Sequence, residues 1–213
     1  MVSVSYGVVG HIDRVEPAAA LAVGLDAALF VDNGTLSVWE NHARAWRSVA
    51  SRESDWTVIL QDDALPIEDF DAHFKNAVEH LPTKGVIGLY VGISRPPQWQ
   101  ARIDAAITAS DACDAAWIKA RVLLWGVGVA IPSDRVLDML DVAGRLPIPY
   151  DQAIGWWARH EPEPMPIYYP SHSLIDHADW PTLIRHHDGQ ARVEPRRAWR
   201  IGEPRLNRRY VDL

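Results

Sequence analysis

Two adjacent carboxylates are the strongest candidates for chemistry in this sequence. Asp62 and Asp63 follow the apolar run 56–60 and a single glutamine, Gln61. Neighbouring carboxylates repel each other, so a cation beside them is expected. Ligation by oxygen alone favours a hard divalent ion, Mg²⁺ or Mn²⁺, that keeps open positions for phosphate oxygens. The alternative is a solvated turn that caps the next helix.

Further polar side chains follow the first two apolar runs of the sequence. His11, Asp13 and Arg14 come just after the first run, and Asp32 closes the second. In open α/β sheets, ligands bind beyond the carboxyl ends of the strands. The position of these four residues therefore favours a nucleotide or nucleotide-sugar site. For Asp32, a purely turn-forming role at 32–34 is the alternative.

Strands that alternate with helices must hold these residues. Strands are predicted at residues 3–9, 27–31, 56–60, 86–91 and 122–131. Helices are predicted at residues 17–23, 36–50, 134–140 and 151–159, and a further helix after Asp63 has Phe70, Phe74, Ala77 and Leu81 on one face. The alternation indicates an α/β sandwich with a largely parallel sheet. Residues 101–119 are ambiguous, and residues 161–213 are predicted to be mostly irregular.

The composition describes a globular chain and excludes several classes of protein. The sequence has 213 residues, a net charge of −7 and one cysteine, Cys113. A single cysteine excludes an intrachain disulfide and a cysteine zinc site. The acidic balance argues against a nucleic-acid or anionic-membrane binder, and no run approaches the ~20 apolar residues of a membrane helix. Residues 1–14 lack the features of a signal peptide, which predicts a cytoplasmic protein.

Several short segments match a known enzyme family in their order and spacing. They are residues 41–46 (NHARAW), 56–64 (WTVILQDDA), 123–133 (LLWGVGVAIPS), 150–152 (YDQ), 168–170 (YYP) and 173–177 (SLIDH). The first two resemble the Ser-His-x-x-Ala-Trp helix and the Glu-Asp-Asp-Ala strand end of glycosyltransferase family 25, the lipopolysaccharide-biosynthesis type. The others resemble the later strand, acidic motif and closing segment of that family. The chain also resembles the small bacteriophage-encoded relatives of these enzymes.

The resemblance implies a GT-A type fold, a nucleotide-sugar donor, usually a uridine diphosphate (UDP) sugar, and a divalent metal, Mn²⁺ or Mg²⁺. Carried over to this sequence, Asp63 would bind the metal, and Asp62 would contact the ribose or sugar of the donor. Asp151 would be the general base. In such folds, His11, Asp13 and Arg14 would lie where the base and phosphates of the donor bind, and Asp32 would contact the ribose or uracil. His177 would be a further metal ligand, with a surface histidine bonded to its neighbours as the alternative.

Two residues depart from the pattern of the family. Gln61 stands where the family has Glu, and Asn41 stands where it has Ser. The missing acid leaves less negative charge at the metal, so weak or dispensable metal binding becomes an alternative. His42 matches a histidine of the family, but it shares a helix face with tryptophans, which favours a packed core residue.

The last part of the sequence is rich in histidine and arginine. We expect one GT-A-like catalytic domain at residues 1–190 and an Arg-rich extension at residues 191–213. The arginines of the extension could bind a diphosphate, hold an acidic acceptor, pair with carboxylates of the protein or form a solvated tail. The adjacent histidines at 186–187 favour an exposed loop over a metal site, because adjacent residues do not share a face.

These observations predict a metal-dependent glycosyltransferase that transfers a sugar from a UDP-sugar to an acceptor hydroxyl. Inversion at the anomeric carbon is implied by the family and by a single base. The acceptor, a glycan or a protein, is not specified by the sequence. One alternative is a catalytically inactive carbohydrate- or nucleotide-binding module, which Gln61 favours. Another is a nucleotidyltransferase or metal hydrolase that uses the same aspartate pair.

Overall fold

The computed structural model describes residues 1–181, 183 and 195–213. Its strands are β1 (Val4–His11), β2 (Ala28–Asp32), β3 (Trp56–Gln61), β4 (Ala64–Pro66), β5 (Val86–Gly88), β6 (Trp117–Ala120), β7 (Gly128–Pro132), β8 (Ile167–Pro170), β9 (Ile175–His177) and β10 (Tyr210–Asp212). Its α-helices are α1 (Val15–Gly24), α2 (Val38–Ala50), α3 (Phe70–Glu79), α4 (Gln100–Ala112), α5 (Val136–Ala143) and α6 (Tyr150–His160). Strands and helices alternate through most of the chain, as the sequence predicts.

Eight strands form one mixed sheet, in the order β10-β6-β8-β5-β7-β3-β1-β2. β1 runs parallel to both of its neighbours, β2 and β3, and β7 is antiparallel to β3 and β5. In the register of these pairs, His11 lies beside Asp32, and Val9 lies beside Gln61. The carboxyl ends of β1, β2 and β3 therefore meet at one edge of the sheet. β4 and β9 form a separate antiparallel pair.

Helices cover both faces of the large sheet. On one face, α2, α4, α5 and α6 pack with sheet residues such as Val9 and Ile59. On the other face, α3 packs with Tyr6 and Val58, and α1 packs with Val8. Successive strand residues point to opposite faces, so a sheet covered on both faces requires continuous apolar runs. The structure is an α/β three-layer sandwich with a mostly parallel central sheet, which confirms the predicted class and is consistent with a GT-A-like fold.

A capping box fixes the start of α2. The Oγ of Ser37 accepts a hydrogen bond from the N–H of Glu40 at 3.2 Å, and Oε2 of Glu40 accepts one from the N–H of Ser37 at 2.7 Å. Ala45, Trp46 and Val49 form a fully buried stripe toward the sheet. The cap and the stripe together fix the position and rotation of α2 against β1, β2 and β3.

Residues 161–213 are mostly irregular where the structure describes them, as predicted, but three short strands lie among them. β8 pairs with β5 and β6 inside the large sheet, and β10 pairs with β6 at its edge. These strands are three or four residues long. A segment this short shows no periodicity of its own, because the pairing with distant strands determines its conformation. The ambiguous segment 101–119 contains most of α4 and the start of β6.

The strand predicted at residues 122–131 begins later, at Gly128. Side-chain hydrogen bonds, rather than a strand ladder, hold the segment before it. The N–H of Leu124 donates to the Tyr169 hydroxyl at 2.8 Å, and Nε1 of Trp125 donates to the carbonyl of Arg95 at 2.7 Å. The apolar run 122–131 therefore begins as a loop that is bonded to Tyr169 and Arg95, and it becomes a strand only at Gly128.

The boundary predicted at residue 190 lies outside the described residues. The residues described after it contact the same sheet, because Tyr210–Asp212 pair with β6 and Ala198 forms a bridge with Gly92. None of the helices in the described part of the chain is long and apolar enough to span a bilayer.

Candidate functional site

The two predicted aspartates lie just beyond β3, at the sheet edge where β1 and β2 also end. Both are buried. The N–H of His11 donates to Oδ2 of Asp62 at 3.1 Å, which joins the end of β1 to the pair. The carbonyl of Asp63 accepts a hydrogen bond from Ala178 at 2.8 Å, next to the β4–β9 pairing. Two distant segments of the chain therefore meet at these carboxylates.

Arg14 bridges the two carboxylates as a shared counter-charge. Its Nη1 lies 3.1 Å from Oδ1 of Asp62 and 3.1 Å from Oδ2 of Asp63, and all three side chains are almost completely buried. Its Nη2 donates to the carbonyl of Pro181, and its guanidinium lies 5.6 Å from the ring of Trp180. Arg14, predicted to bind the donor, is thus placed as an internal counter-charge of the aspartates.

Burial has the largest effect on the pKa of Asp62. Desolvation and the neighbouring charge of Asp63 raise the pKa of Asp62, while hydrogen bonds from His11 and Arg14 act in the opposite direction. The net shift is upward. A buried carboxylate that is short of compensating charge attracts a further cation or a hydrogen-bond donor.

His177 lies beside Asp63 because β9 pairs with β4, with Ala64 opposite His177. The Nδ1 of His177 is 2.8 Å from the carbonyl of Ala178. A carbonyl only accepts hydrogen bonds, so Nδ1 carries the proton and Nε2 is the acceptor nitrogen. That Nε2 lies 3.7 Å from Oδ2 of Asp63. A histidine oriented through a backbone carbonyl in this way is typical of metal ligands.

One oxygen of the pair has no partner among the described residues. The Oδ1 of Asp63 is buried and accepts no hydrogen bond there. Oδ1 of Asp63 and Nε2 of His177 are the two candidate protein ligands for a divalent ion. The described part of the chain contains no group of three or more His, Cys, Asp or Glu side chains that could hold a metal. The remaining coordination positions would therefore fall to phosphate oxygens and water. The histidines at 186–187 lie outside the described residues.

The other predicted donor-binding residues surround the end of β1. The Nδ1 of His11 accepts a hydrogen bond from the N–H of Asp13 at 3.2 Å, and the side chain of Asp13 is exposed. The Oδ1 of Asp32 accepts hydrogen bonds from Thr35 and Leu36, at 3.1 and 3.0 Å. Burial acts to raise the pKa of Asp32, but the backbone hydrogen bonds together outweigh it and lower the pKa. Asp32 therefore forms the turn, while its contact with a donor stays a prediction.

Asp151, the predicted base, lies at the start of α6, on a different element from Asp62 and Asp63. Its Oδ1 accepts a hydrogen bond from the N–H of Gln152 at 2.9 Å. Burial raises the pKa of Asp151 to about 6, with backbone hydrogen bonds acting against the rise. A Cβ added at Gly126 would lie 3.6 Å from that of Asp151, so the loop before β7 passes close to the carboxyl. A carboxyl with this pKa can both accept and return a proton near neutral pH.

His42 is a packed core residue that also orients Gln61. Its Nδ1 donates to the carbonyl of Val38 at 2.8 Å, and its Nε2 lies 3.3 Å from Nε2 of Gln61. Burial lowers the pKa of His42 to about 4, so the ring is neutral near pH 7 and accepts from the amide. The ring centroids of His42 and Tyr150 are 3.9 Å apart. Through His42, Gln61 at the end of β3 is therefore connected to Tyr150 at the start of α6.

Asn41, the second departure from the family pattern, has a structural role. Its Nδ2 donates to the carbonyls of Gly10 and Phe30, at 3.3 and 3.2 Å. Its Oδ1 accepts a hydrogen bond from Arg44 at 2.8 Å. Asn41 therefore fixes the ends of β1 and β2 against α2.

Sequence reasoning did not single out Arg196 as a site residue. Its Nη1 lies 3.4 Å from Nε2 of His177 and 4.0 Å from Oδ2 of Asp63. Nothing in the local sequence distinguishes Arg196 from its many arginine neighbours. Contacts with distant segments, such as the bridge between Ala198 and Gly92 and the hydrogen bond from Ala198 to Asp176, hold this part of the chain near the aspartates.

Other arginines of the tail pair with carboxylates of the protein. Arg200 and Arg205 both bind Asp111 at the end of α4, and Arg205 and Arg209 also contact Asp114. Arg205 donates in addition to backbone carbonyls at the same helix end. Cations at this position also interact favourably with the helix dipole. Of the four predicted alternatives, pairing with carboxylates of the protein describes these three arginines.

Comparisons with known proteins give distant structural matches only. No protein-family model matches the chain, and no curated protein matches it. The crystal structure of A197 from STIV matches with a TM-score of 0.47 and 15% identity, over 86% of this chain and 99% of that one. A glycosyltransferase involved in the glycosylation of the major capsid of PBCV-1 matches with a TM-score of 0.34 and 9% identity, over 71% of this chain and 74% of that one.

Proposed function

We propose that this chain is a glycosyltransferase that transfers a sugar from a UDP-sugar to an acceptor hydroxyl, with Mn²⁺ or Mg²⁺ held by Asp63 and His177. The observation that carries the proposal is the buried Oδ1 of Asp63, which lacks a partner among the described residues and lies at the edge where β1, β2 and β3 end. Such an acceptor requires a cation or a hydroxyl donor. A nucleotide sugar with its divalent ion supplies both.

Each part of the reaction has a candidate side chain. When bound, a divalent ion neutralises the charge of a diphosphate leaving group. Asp62, held by His11 and Arg14, would accept hydrogen bonds from hydroxyls of the donor. Asp151, with a pKa of about 6, would take the proton of the acceptor hydroxyl. With one base in this position, the reaction would invert the anomeric carbon.

The inactive binding module is the second candidate, and the engagement of Gln61 by His42 favours it. In the family that the sequence resembles, an acid occupies the position of Gln61. Here the amide at this position pairs with a neutral histidine, so it adds no charge to a metal site. A module of this kind would bind a nucleotide or a sugar without transferring it.

Calorimetry and a donor screen test the proposal together. UDP is titrated into the protein with Mn²⁺ and with EDTA, and a panel of nucleotide sugars is then assayed for release of UDP. Metal-dependent UDP binding with release of UDP supports the transferase. Binding without turnover on any donor favours the inactive module, and release of a nucleoside monophosphate indicates a nucleotidyltransferase. Nucleotide binding that is equal in EDTA and Mn²⁺ contradicts the metal assignment.

His177→Ala provides a matched test of the second ligand. We expect the Mn²⁺-dependent part of UDP binding to weaken by about tenfold or more, because one of two protein ligands is lost. His160→Ala is the control, since His160 is exposed on α6 and stacks on Trp156. Equal effects of the two substitutions would remove His177 from the site.

A further inference from the structure

We infer that Arg196 competes with the divalent ion for Asp63 and His177, and so determines how tightly this site binds a metal. The inference rests on the proposed function, because it concerns the cation site of that function. It assigns a role to a residue of the Arg-rich tail that the proposed reaction does not otherwise use.

The guanidinium of Arg196 occupies the space beside both proposed ligands. Its Nη1 is 3.4 Å from Nε2 of His177 and 4.0 Å from Oδ2 of Asp63. Only 12% of the side chain is exposed. Its Nη2 donates to the carbonyl of Trp180, and Nε lies 3.7 Å from Oδ1 of Asp179. These contacts hold a permanent positive charge beside the side chains of Asp63 and His177.

A divalent ion and this guanidinium cannot occupy the site together. Divalent ions bind carboxylate oxygen and imidazole nitrogen at about 2.0–2.3 Å. An ion on Asp63 and His177 would therefore lie within roughly 5 Å of Arg196, where two cations in a buried site repel strongly. Arg196 must move away before the ion binds, and the free energy of its present contacts is subtracted from the metal affinity.

Arg14 differs from Arg196 in its geometry, although both are arginines at the same carboxylates. Nη1 of Arg14 lies 3.1 Å from one oxygen of each aspartate, and the Oδ1 of Asp63 remains without a partner among the described residues. Asp62 also holds Arg14, so Arg14 keeps one carboxylate partner when a metal binds Asp63. Arg196 Nη1 lies 3.4 Å from the imidazole nitrogen that would bind the ion.

The test measures binding of Mn²⁺ alone, from the loss of the electron paramagnetic resonance signal of the free ion. The proteins are the parent, Arg196→Gln, Arg196→Lys and the control Arg209→Gln, whose side chain is exposed and contacts Asp114. We expect Arg196→Gln to bind Mn²⁺ about fivefold more tightly or better, because the competing charge is removed. Arg196→Lys keeps the charge and Arg209 is remote, so both variants should bind like the parent.

An unchanged or weaker Mn²⁺ affinity in Arg196→Gln would overturn the inference. Circular dichroism checks the fold of each variant, and Arg196→Met replaces Arg196→Gln if the latter is unfolded. If the parent binds UDP in a metal-dependent way but removal of the charge at 196 does not tighten Mn²⁺ binding, only the inference fails. If no variant binds Mn²⁺ in the presence or absence of UDP, the inference and the proposed metal site both fail.

Discussion

Asp63 combines three features that rarely coincide in one side chain. It is buried, it lies directly beyond a strand, and one of its oxygens has no partner among the described residues while the other faces Arg14 and His177. A residue with only a structural role would have both oxygens satisfied. At the scale of single residues, this imbalance is the strongest indication of a ligand.

Replacing Asp63 by Asn tests this indication directly. The amide oxygen can still accept the hydrogen bond from Arg14, so the fold should be retained. The charge that would hold a metal is lost, and we expect Mn²⁺-dependent UDP binding to weaken by about tenfold or more. Calorimetry measures the affinity and circular dichroism the fold. Parental affinity for UDP with Mn²⁺ would show that Asp63 is not a metal ligand.

Asp151→Asn separates catalysis from helix capping. Asn accepts the hydrogen bond from Gln152 about as well as Asp, but it cannot take a proton. We expect sugar transfer to slow by a factor on the order of 10² or more, with donor binding retained. A transfer rate close to that of the parent would make Asp151 a helix-capping residue.

The pH dependence of the proposed sugar transfer gives a second measurement of Asp151. Its pKa of about 6 in the folded protein means that the base is lost as pH falls below 6, so the rate should drop about tenfold per pH unit there. The folded state binds this proton more tightly than the unfolded state, so Asp151 makes folding less favourable as pH rises from about 4 to about 6. Both effects should be absent from Asp151→Asn. A flat rate profile of the parent between pH 5 and 7 would contradict the assignment.

The elements that carry strong local signals could be predicted from the sequence. α2 has an N-cap, an amphipathic stripe and a turn before it, and β3 is a continuous apolar run that ends at the aspartates. The sequence alone therefore predicts that Gln61, Asp62 and Asp63 lie at the carboxyl end of a strand. β10 and Arg196 could not be placed, because their positions depend on pairing with segments far away in the chain.

The N-cap of α2 has a measurable stability contribution. Ser37→Ala removes one half of the capping box, and we expect a loss of about 1 kcal/mol in the free energy of unfolding. Ser48→Ala is the control, since Ser48 is exposed within the same helix and alanine favours helices. Urea denaturation of the two variants measures the difference. An equal loss in both would show that the box does not stabilise α2.

At the scale of the whole molecule, residues 200–212 pack against the end of α4 and extend the large sheet at one edge. Asp111 joins Arg200 and Arg205, while β10 adds the final strand. Hydrogen bonds from both arginines, with burial acting in the opposite direction, lower the pKa of Asp111. Ionised Asp111 therefore stabilises the folded state above its ordinary pKa near 4, and this contribution is lost as pH falls below that value.

Asp111→Asn should lower the melting temperature by a few degrees at pH 7, and the difference from the parent should shrink as pH falls below about 4. Asp104→Asn is the control, because Asp104 is exposed on the same helix. Differential scanning calorimetry across this pH range makes the comparison. A constant difference at all pH values would assign the effect to packing rather than charge.

The pairing of β4 with β9 has a consequence for how the protein acquires its site. Ala64 and His177 lie opposite each other although they are roughly 110 residues apart in the chain, and closing so long a loop is entropically costly and slow. Arg14 can meet the aspartates as soon as β1 and β3 associate, but His177 arrives only when the second half of the sheet has formed. A partly folded chain therefore presents half a site, and any ligand that needs both halves shifts the equilibrium toward the native state by mass action.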